Sequence, residues 1–187
     1  RRKDNTYPTV DIEAGTQIGN RQFWLGSHSN SNKGKLQPNR FRLFATETHG
    51  QGDNIQLSFV GYYGDLFDDL DEWGGEHGYK FKSMLQDNRQ PDKVNGFNIE
   101  GFAIAPDGQT AYIGFRTPLV TNNEVSYALV APLQNFSAWF NNGNPTNPAS
   151  FGNPILLNLG GLGIRGMECN TNGCVIIAGS IDDEGLF

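Results

Sequence analysis

A motif that recurs three times constrains this chain more than any other feature. Asp11-Ile12-Glu13-Ala14 runs on to Trp24-Leu25-Gly26-Ser27, and Asn98-Ile99-Glu100-Gly101 runs on to Tyr112-Ile113-Gly114-Phe115. The third copy joins Gly163-Ile164-Arg165-Gly166 to Ile176-Ile177-Ala178-Gly179. Each copy begins on an Ile flanked by polar residues, turns through Gly-Asn, Asp-Gly or Asn-Gly, and returns on an apolar strand ending near Gly. Turn dipeptides of this kind between apolar segments mark β-hairpins. A repeated unit that cannot bury its own apolar face must stack on its neighbours.

Short segments bounded by Gly or Asn fill the intervals between copies. Residues 10–16, 21–27, 39–48 and 54–62 read as strands before the second copy; residues 99–105, 110–116, 125–133 and 154–159 follow, and residues 163–169 and 174–180 form a last hairpin. Residues 65–73 and 80–86 carry the helical turns, so residues 63–92 read as a partly helical insertion. Four antiparallel strands per repeat is the blade of a β-propeller. The expected fold is therefore all-β and β-propeller-like, with about two and a half four-stranded blades in one incomplete domain over residues 1–187. Propellers close with roughly four to eight blades. The chain accordingly reads as a fragment, its open faces covered by the remaining propeller blades or by a homo-oligomer partner.

Composition supports this class. Among 187 residues, 24 Gly and 9 Pro with only 18% charged residues argue against a charged helical bundle, while 13 Phe supply a core and argue against disorder. A net charge of −6 repels nucleic acid and anionic membranes. No apolar run approaches the roughly twenty residues of a membrane span, and Arg1-Arg2-Lys3-Asp4 has no apolar stretch behind it. Cys169 and Cys174 flank Asn170-Thr171-Asn172-Gly173, a hairpin turn that brings the two sulfurs together. A disulfide is the reading preferred over two free thiols, and it points to an oxidising, secreted or periplasmic setting. His28, His49 and His77 lack the pair spacing of a zinc site, and Asn135-Phe136-Ser137 is a single glycosylation sequon of the kind chance supplies.

In a propeller the first strand of each blade lines a central channel, so equivalent repeat positions converge at its mouth. Glu13, Glu100 and Arg165 occupy one such position, and Asp11 and Asn98 stand two residues before the first two. His28 and Arg116 fall at nearly matching places on the returning strands. Two carboxylates with an amide oxygen suit a hard cation, with Glu13 and Glu100 as Ca²⁺ ligands. The guanidinium groups of Arg116 and Arg165 suit an anionic small molecule, with His28, Asn98 and Asp11 as further binding candidates. The other readings are a charge network that ties the blades together and holds no ligand, and exposed residues unrelated to one another. No dedicated nucleophile or general base stands out, so no catalytic residue is assigned. Asp69, Asp71 and Glu76 miss the calcium-loop pattern, because Trp73 and Lys80 stand where oxygen ligands are required. In Ser27-His28-Ser29, neighbouring strand side chains point to opposite faces, which disfavours a Ser-His pair.

Asn98-Ile99-Glu100-Gly101-Phe102-Ala103, Pro106-Asp107-Gly108, Tyr112-Ile113-Gly114-Phe115-Arg116-Thr117-Pro118-Leu119, Ala128-Leu129-Val130 and Gly163-Ile164-Arg165-Gly166 resemble a family of propeller-like bacterial domains of unknown function. That family is itself similar to esterase-like phytases and, more remotely, to gluconolactonase-type propellers. The resemblance covers residues 10–179, and the cysteine pair departs from it. It implies a metal at the channel mouth. The expected function is an extracytoplasmic module that binds a small ligand or partner at the mouth. The alternative is a Ca²⁺-dependent hydrolase of phytase-like, esterase or lactonase type.

Overall fold

Among the described residues, ten strands form in segments rich in Val, Ile, Phe and Tyr. The computed structural model describes residues 9–182 except Asp87 and Asn142. Its first sheet pairs β1 (Ile12–Ile18), β2 (Arg21–Gly26), β3 (Leu43–His49) and β4 (Gln56–Tyr63) in sequence order. After the helices α1 (Leu66–Glu76) and α2 (Phe81–Met84), a second sheet pairs β5 (Asn98–Ile104), β6 (Ala111–Asn122), β7 (Val125–Leu133) and β8 (Ile155–Leu157). A hairpin of β9 (Gly163–Asn170) and β10 (Gly173–Gly179) follows. All these pairings are antiparallel, and among the described residues no sheet closes on itself.

The second sheet is buried on both faces, which is why Ala128-Leu129-Val130-Ala131 reads as a continuous apolar run instead of an alternation. One face joins Phe102, Ile113, Phe115, Leu129 and Ala131 to Phe23, Leu25, Leu43 and Ala45 of the first sheet. The other face sets Ala128 and Val130 against Ile164 and Ile176 of the hairpin. The three layers therefore stack first sheet, second sheet, hairpin. β5 packs against both β1 and β9, so the leading strands of the three layers gather together.

The segment between β4 and β5 is part of the core. Leu66, Leu70 and Trp73 recur on one face of α1, and with Phe81 of α2 they join the main apolar cluster. Asp68 and Asp69 lie in the first turn of α1, where the helix dipole favours negative charge.

Some boundaries differ from expectation. The third strand begins at Leu43, not residue 39, because Pro38–Arg40 forms a 3₁₀ turn. The helix expected over residues 80–86 is confined to Phe81–Met84. β6 runs six residues past Arg116, through a cis Thr117-Pro118 bond. Its ladder with β7 lapses between Gly114 and Leu119, and Pro118, which has no N–H to donate, sits in that gap.

Candidate functional site

Three β-bulges build the site. Ile12 pairs with Gly26 and Ala14 with Leu25, which leaves Glu13 as the extra residue of β1. In β5, Ile99 pairs with Phe115 and Gly101 with Gly114, leaving Glu100. In β9, Ile164 pairs with Ala178 and Gly166 with Ile177, leaving Arg165. The same repeat position is bulged in all three leading strands. A bulge bends its strand and re-aims the extra side chain. Here Arg165 and Glu100 meet from two layers, and Glu13 of the third lies within electrostatic range of Glu100.

Glu100 is the centre of the cluster. Arg116 Nη1 donates to its Oε1 at 3.1 Å and Arg165 Nε to its Oε2 at 2.8 Å. Asn98 Nδ2 also donates to Oε1, at 3.0 Å. Glu100, Arg116 and Asn98 are buried, and a carboxylate out of water requires this degree of pairing. Arg165 further donates to the Ser180 carbonyl at 3.0 Å. These bonds tie β5, β6 and β9 together at the layer junction.

Asp11 anchors a second group. Its φ of 58° turns the chain just before β1, so that its carbonyl accepts from the Ser27 N–H at 3.0 Å. Ser27 Oγ donates to Asp11 Oδ2 at 2.9 Å, and Arg40 Nη1 pairs with the same oxygen at 2.8 Å. Arg40 also donates to Ser29 Oγ at 3.0 Å and to the Asn30 carbonyl at 2.8 Å. The sequence reading did not single out Arg40. It follows Pro38-Asn39 in an irregular segment where no period marks it, and only the 3₁₀ turn brings it to Asp11.

Glu13 differs from both. It makes no hydrogen bond or ion pair with any described residue, and its surface stays open to solvent. Partial desolvation raises its carboxyl to about 7, helped by the charges of Asp11 and Glu100 and opposed by Arg40 and Arg116. An accessible carboxyl of this kind can exchange a proton near neutral pH or receive a donor from a bound molecule.

His28, a binding candidate from the sequence, lies inside the fold. It is fully buried, with a φ of 52°, its ring edge-on to Phe41, and Nδ1 2.9 Å from the Gly26 carbonyl. That acceptor places the ring proton on Nδ1, and burial lowers the imidazole to about 4. Ser27 and Ser29 bond to each other across 2.9 Å and not to the His28 ring. Phe41 also lines a recess with Leu36, Pro38, Phe67 and Leu85, whose wall includes Asp68 and Lys82.

Glu13 and Glu100, the candidate metal ligands, are placed differently from each other. Both oxygens of Glu100 already receive guanidinium donors, and among the described residues no three acidic, His or Cys side chains stand close enough to hold an ion. Cys169 and Cys174 face each other across β9 and β10 and form a disulfide with sulfurs 2.01 Å apart.

Comparison with known families finds a match over residues 78–185 to a model described as "Protein of unknown function (DUF3616)". No curated protein and no solved structure matches the chain.

Proposed function

The chain belongs to the DUF3616 family of proteins of unknown function, and from its own geometry we propose that it is a β-propeller-type module that binds a small molecule at the junction of its leading strands. One observation carries this reading. Three bulges at one repeat position carry Glu13, Glu100 and Arg165 in three separate layers; Arg165 pairs with Glu100 at 2.8 Å, and Glu13 is near enough to feel the charges of Glu100 and Arg116. A purely architectural junction calls for charges that satisfy one another, as Glu100 does with Arg116 and Arg165, but not for Glu13, which is left accessible and unpaired among the described residues.

The layer order supports the propeller reading. Sheets of four antiparallel strands stack face to face with their first strands gathered, as blades do around an axis. Further sheets of the same kind would cover the outer faces of the stack. The disulfide favours a secreted or periplasmic location, and no helix among the described residues is long and apolar enough to cross a membrane. The resemblance to phytase-like and lactonase-type propellers keeps a calcium-dependent hydrolase as the competing activity. Its first requirement is turnover of ester, lactone or phosphoester substrates that stops on chelation.

A ligand-observed magnetic resonance screen of small polar molecules tests the binding reading on wild type, Glu13→Gln and Arg165→Ala. Hits should weaken in Glu13→Gln and change affinity in Arg165→Ala, whose loss leaves the junction more negative. Ligands that bind all three proteins equally would place binding elsewhere and remove the proposal.

A further inference from the structure

We propose that the ligand taken at this junction carries an organic cation, a primary ammonium or a guanidinium, received by Glu13. The inference rests on the small-molecule reading above and names its ligand class.

Charge pairing is the first ground. Among the described residues, Asp11, Glu13 and Glu100 are the carboxylates whose charges act on one another here. Asp11 is paired with Arg40 at 2.8 Å, and Glu100 with Arg116 at 3.1 Å and Arg165 at 2.8 Å. Glu13 has no such partner among the described residues. An anionic ligand would have to pull Arg116 or Arg165 away from buried Glu100 and leave that carboxylate without its counter-charge, at a high desolvation cost. A cation needs no displacement, because an open carboxylate already waits for it.

Asn98 is the second, independent ground. It is 5% exposed, and its Nδ2 donates to Glu100 while its Oδ1 has no donor. Exchanging the two amide atoms would point oxygen at a carboxylate, so the orientation is fixed by Glu100. A buried acceptor without a donor costs free energy until something supplies one. The site thus presents two unfilled acceptors, a carboxylate and an amide oxygen. An ammonium brings three N–H donors and a guanidinium five, each with the matching charge. A bare divalent ion would need six or more oxygens, which these residues do not furnish.

Proton linkage makes the binding mode readable. With its carboxyl raised to about 7, Glu13 is about half protonated at neutral pH, and an approaching cation drives it to the ionised form. Binding should release about half a proton at pH 7.

Calorimetric titration of the 187-residue chain with 1,4-diaminobutane and with agmatine, repeated in buffers of different ionisation enthalpy, reads both affinity and proton release. Citrate, inorganic phosphate, glucose and Ca²⁺ serve as the other probes. Saturable binding of a cationic probe with proton release, weakened at least tenfold in Glu13→Gln at a thermal midpoint no lower than that of wild type, is the expected result. Equal affinity for wild type and Glu13→Gln overturns the inference. Binding of citrate, phosphate, glucose or Ca²⁺ in place of the amines also overturns it and leaves the junction as a ligand site of another class. Silence from every probe overturns the cation class and counts against the binding reading itself.

Discussion

Burial acts on two ionisable side chains of the junction with opposite signs, raising the proton affinity of Glu13 and lowering that of His28. For Glu13 the folded state disfavours the ionised form, so the fold binds more protons than the unfolded chain between about 4.5 and 7. Its contribution to stability is greatest below that window and is lost as pH rises through it. For His28 the unfolded chain binds more protons between about 4 and 6.5, so stability is lost as pH falls. The full His28 effect is about 3 kcal/mol, since each pKa unit is worth about 1.4 kcal/mol. Urea midpoints measured from pH 4 to 8 should therefore show both slopes. Glu13→Gln should raise the midpoint at pH 8 and leave it unchanged at pH 4.5. His28→Asn, which tolerates the positive φ, should flatten the acid side whatever its baseline cost. Equal shifts at every pH would rule out either assignment. The equivalence of Glu13, Glu100 and Arg165 was legible because the repeat numbers it. The burial of His28 was not, since Ser27-His28-Ser29 is polar in sequence and only its αL backbone turns the ring inward.

At the level of elements, close approach of layers selects glycine at two sites of the second sheet. A Cβ on Gly114 would lie 2.9 Å from Ile164 Cγ2 and 3.1 Å from Met167 Sδ, and one on Gly101 would meet the same pair at 2.9 Å. Gly114→Ala should therefore push the hairpin outward and cost about 1–3 kcal/mol in chemical denaturation. Gly75→Ala is the contrasting substitution. It sits in α1 with nothing within 4 Å of the added Cβ, and should stabilise by up to about 1 kcal/mol. Loss of stability at Gly75 or none at Gly114 would contradict this account of the layers. Reduction of Cys169–Cys174 should leave the fold intact, because the bond closes a loop only five residues apart in sequence and adds at most about 3 kcal/mol. Strand number and the disulfide were legible because turns and spacing mark them. The bulges were not, since one extra residue in a strand disturbs alternation no more than ordinary sequence variation does. The extension of β6 was hidden as well, because Pro118 reads as a terminator unless the neighbouring ladder is known to open there.

At the scale of the molecule, the stacking order leaves two apolar faces uncovered. In the first sheet Phe23, Leu25, Leu43 and Ala45 face the second sheet, so Trp24 and Phe44 point the other way, beside Leu57, Phe59 and Tyr62. Phe59 is 66% exposed and Leu57 58%. On the hairpin, Ile164 and Ile176 face the second sheet while Val175 and Ile177 stand 74% and 59% exposed on the far side. Among the described residues β10 also has no strand on its outer edge, whereas β2 and β6 each have one. By repeat symmetry the far side of the hairpin matches the face that the second sheet turns toward the hairpin. The outer side of the first sheet matches the face that the second sheet turns toward the first. The two uncovered faces are therefore complementary to each other in the same sense as the layers already in contact, which favours head-to-tail stacking on a second copy when no further sheets are supplied. Light scattering behind size exclusion should show association that grows with protein concentration. Phe59→Lys and Val175→Lys should each suppress it without lowering the thermal midpoint, because both side chains are exposed in the single chain. A monomer at all concentrations, or association that neither lysine weakens, would mean that these faces do not stack in the register the repeat implies.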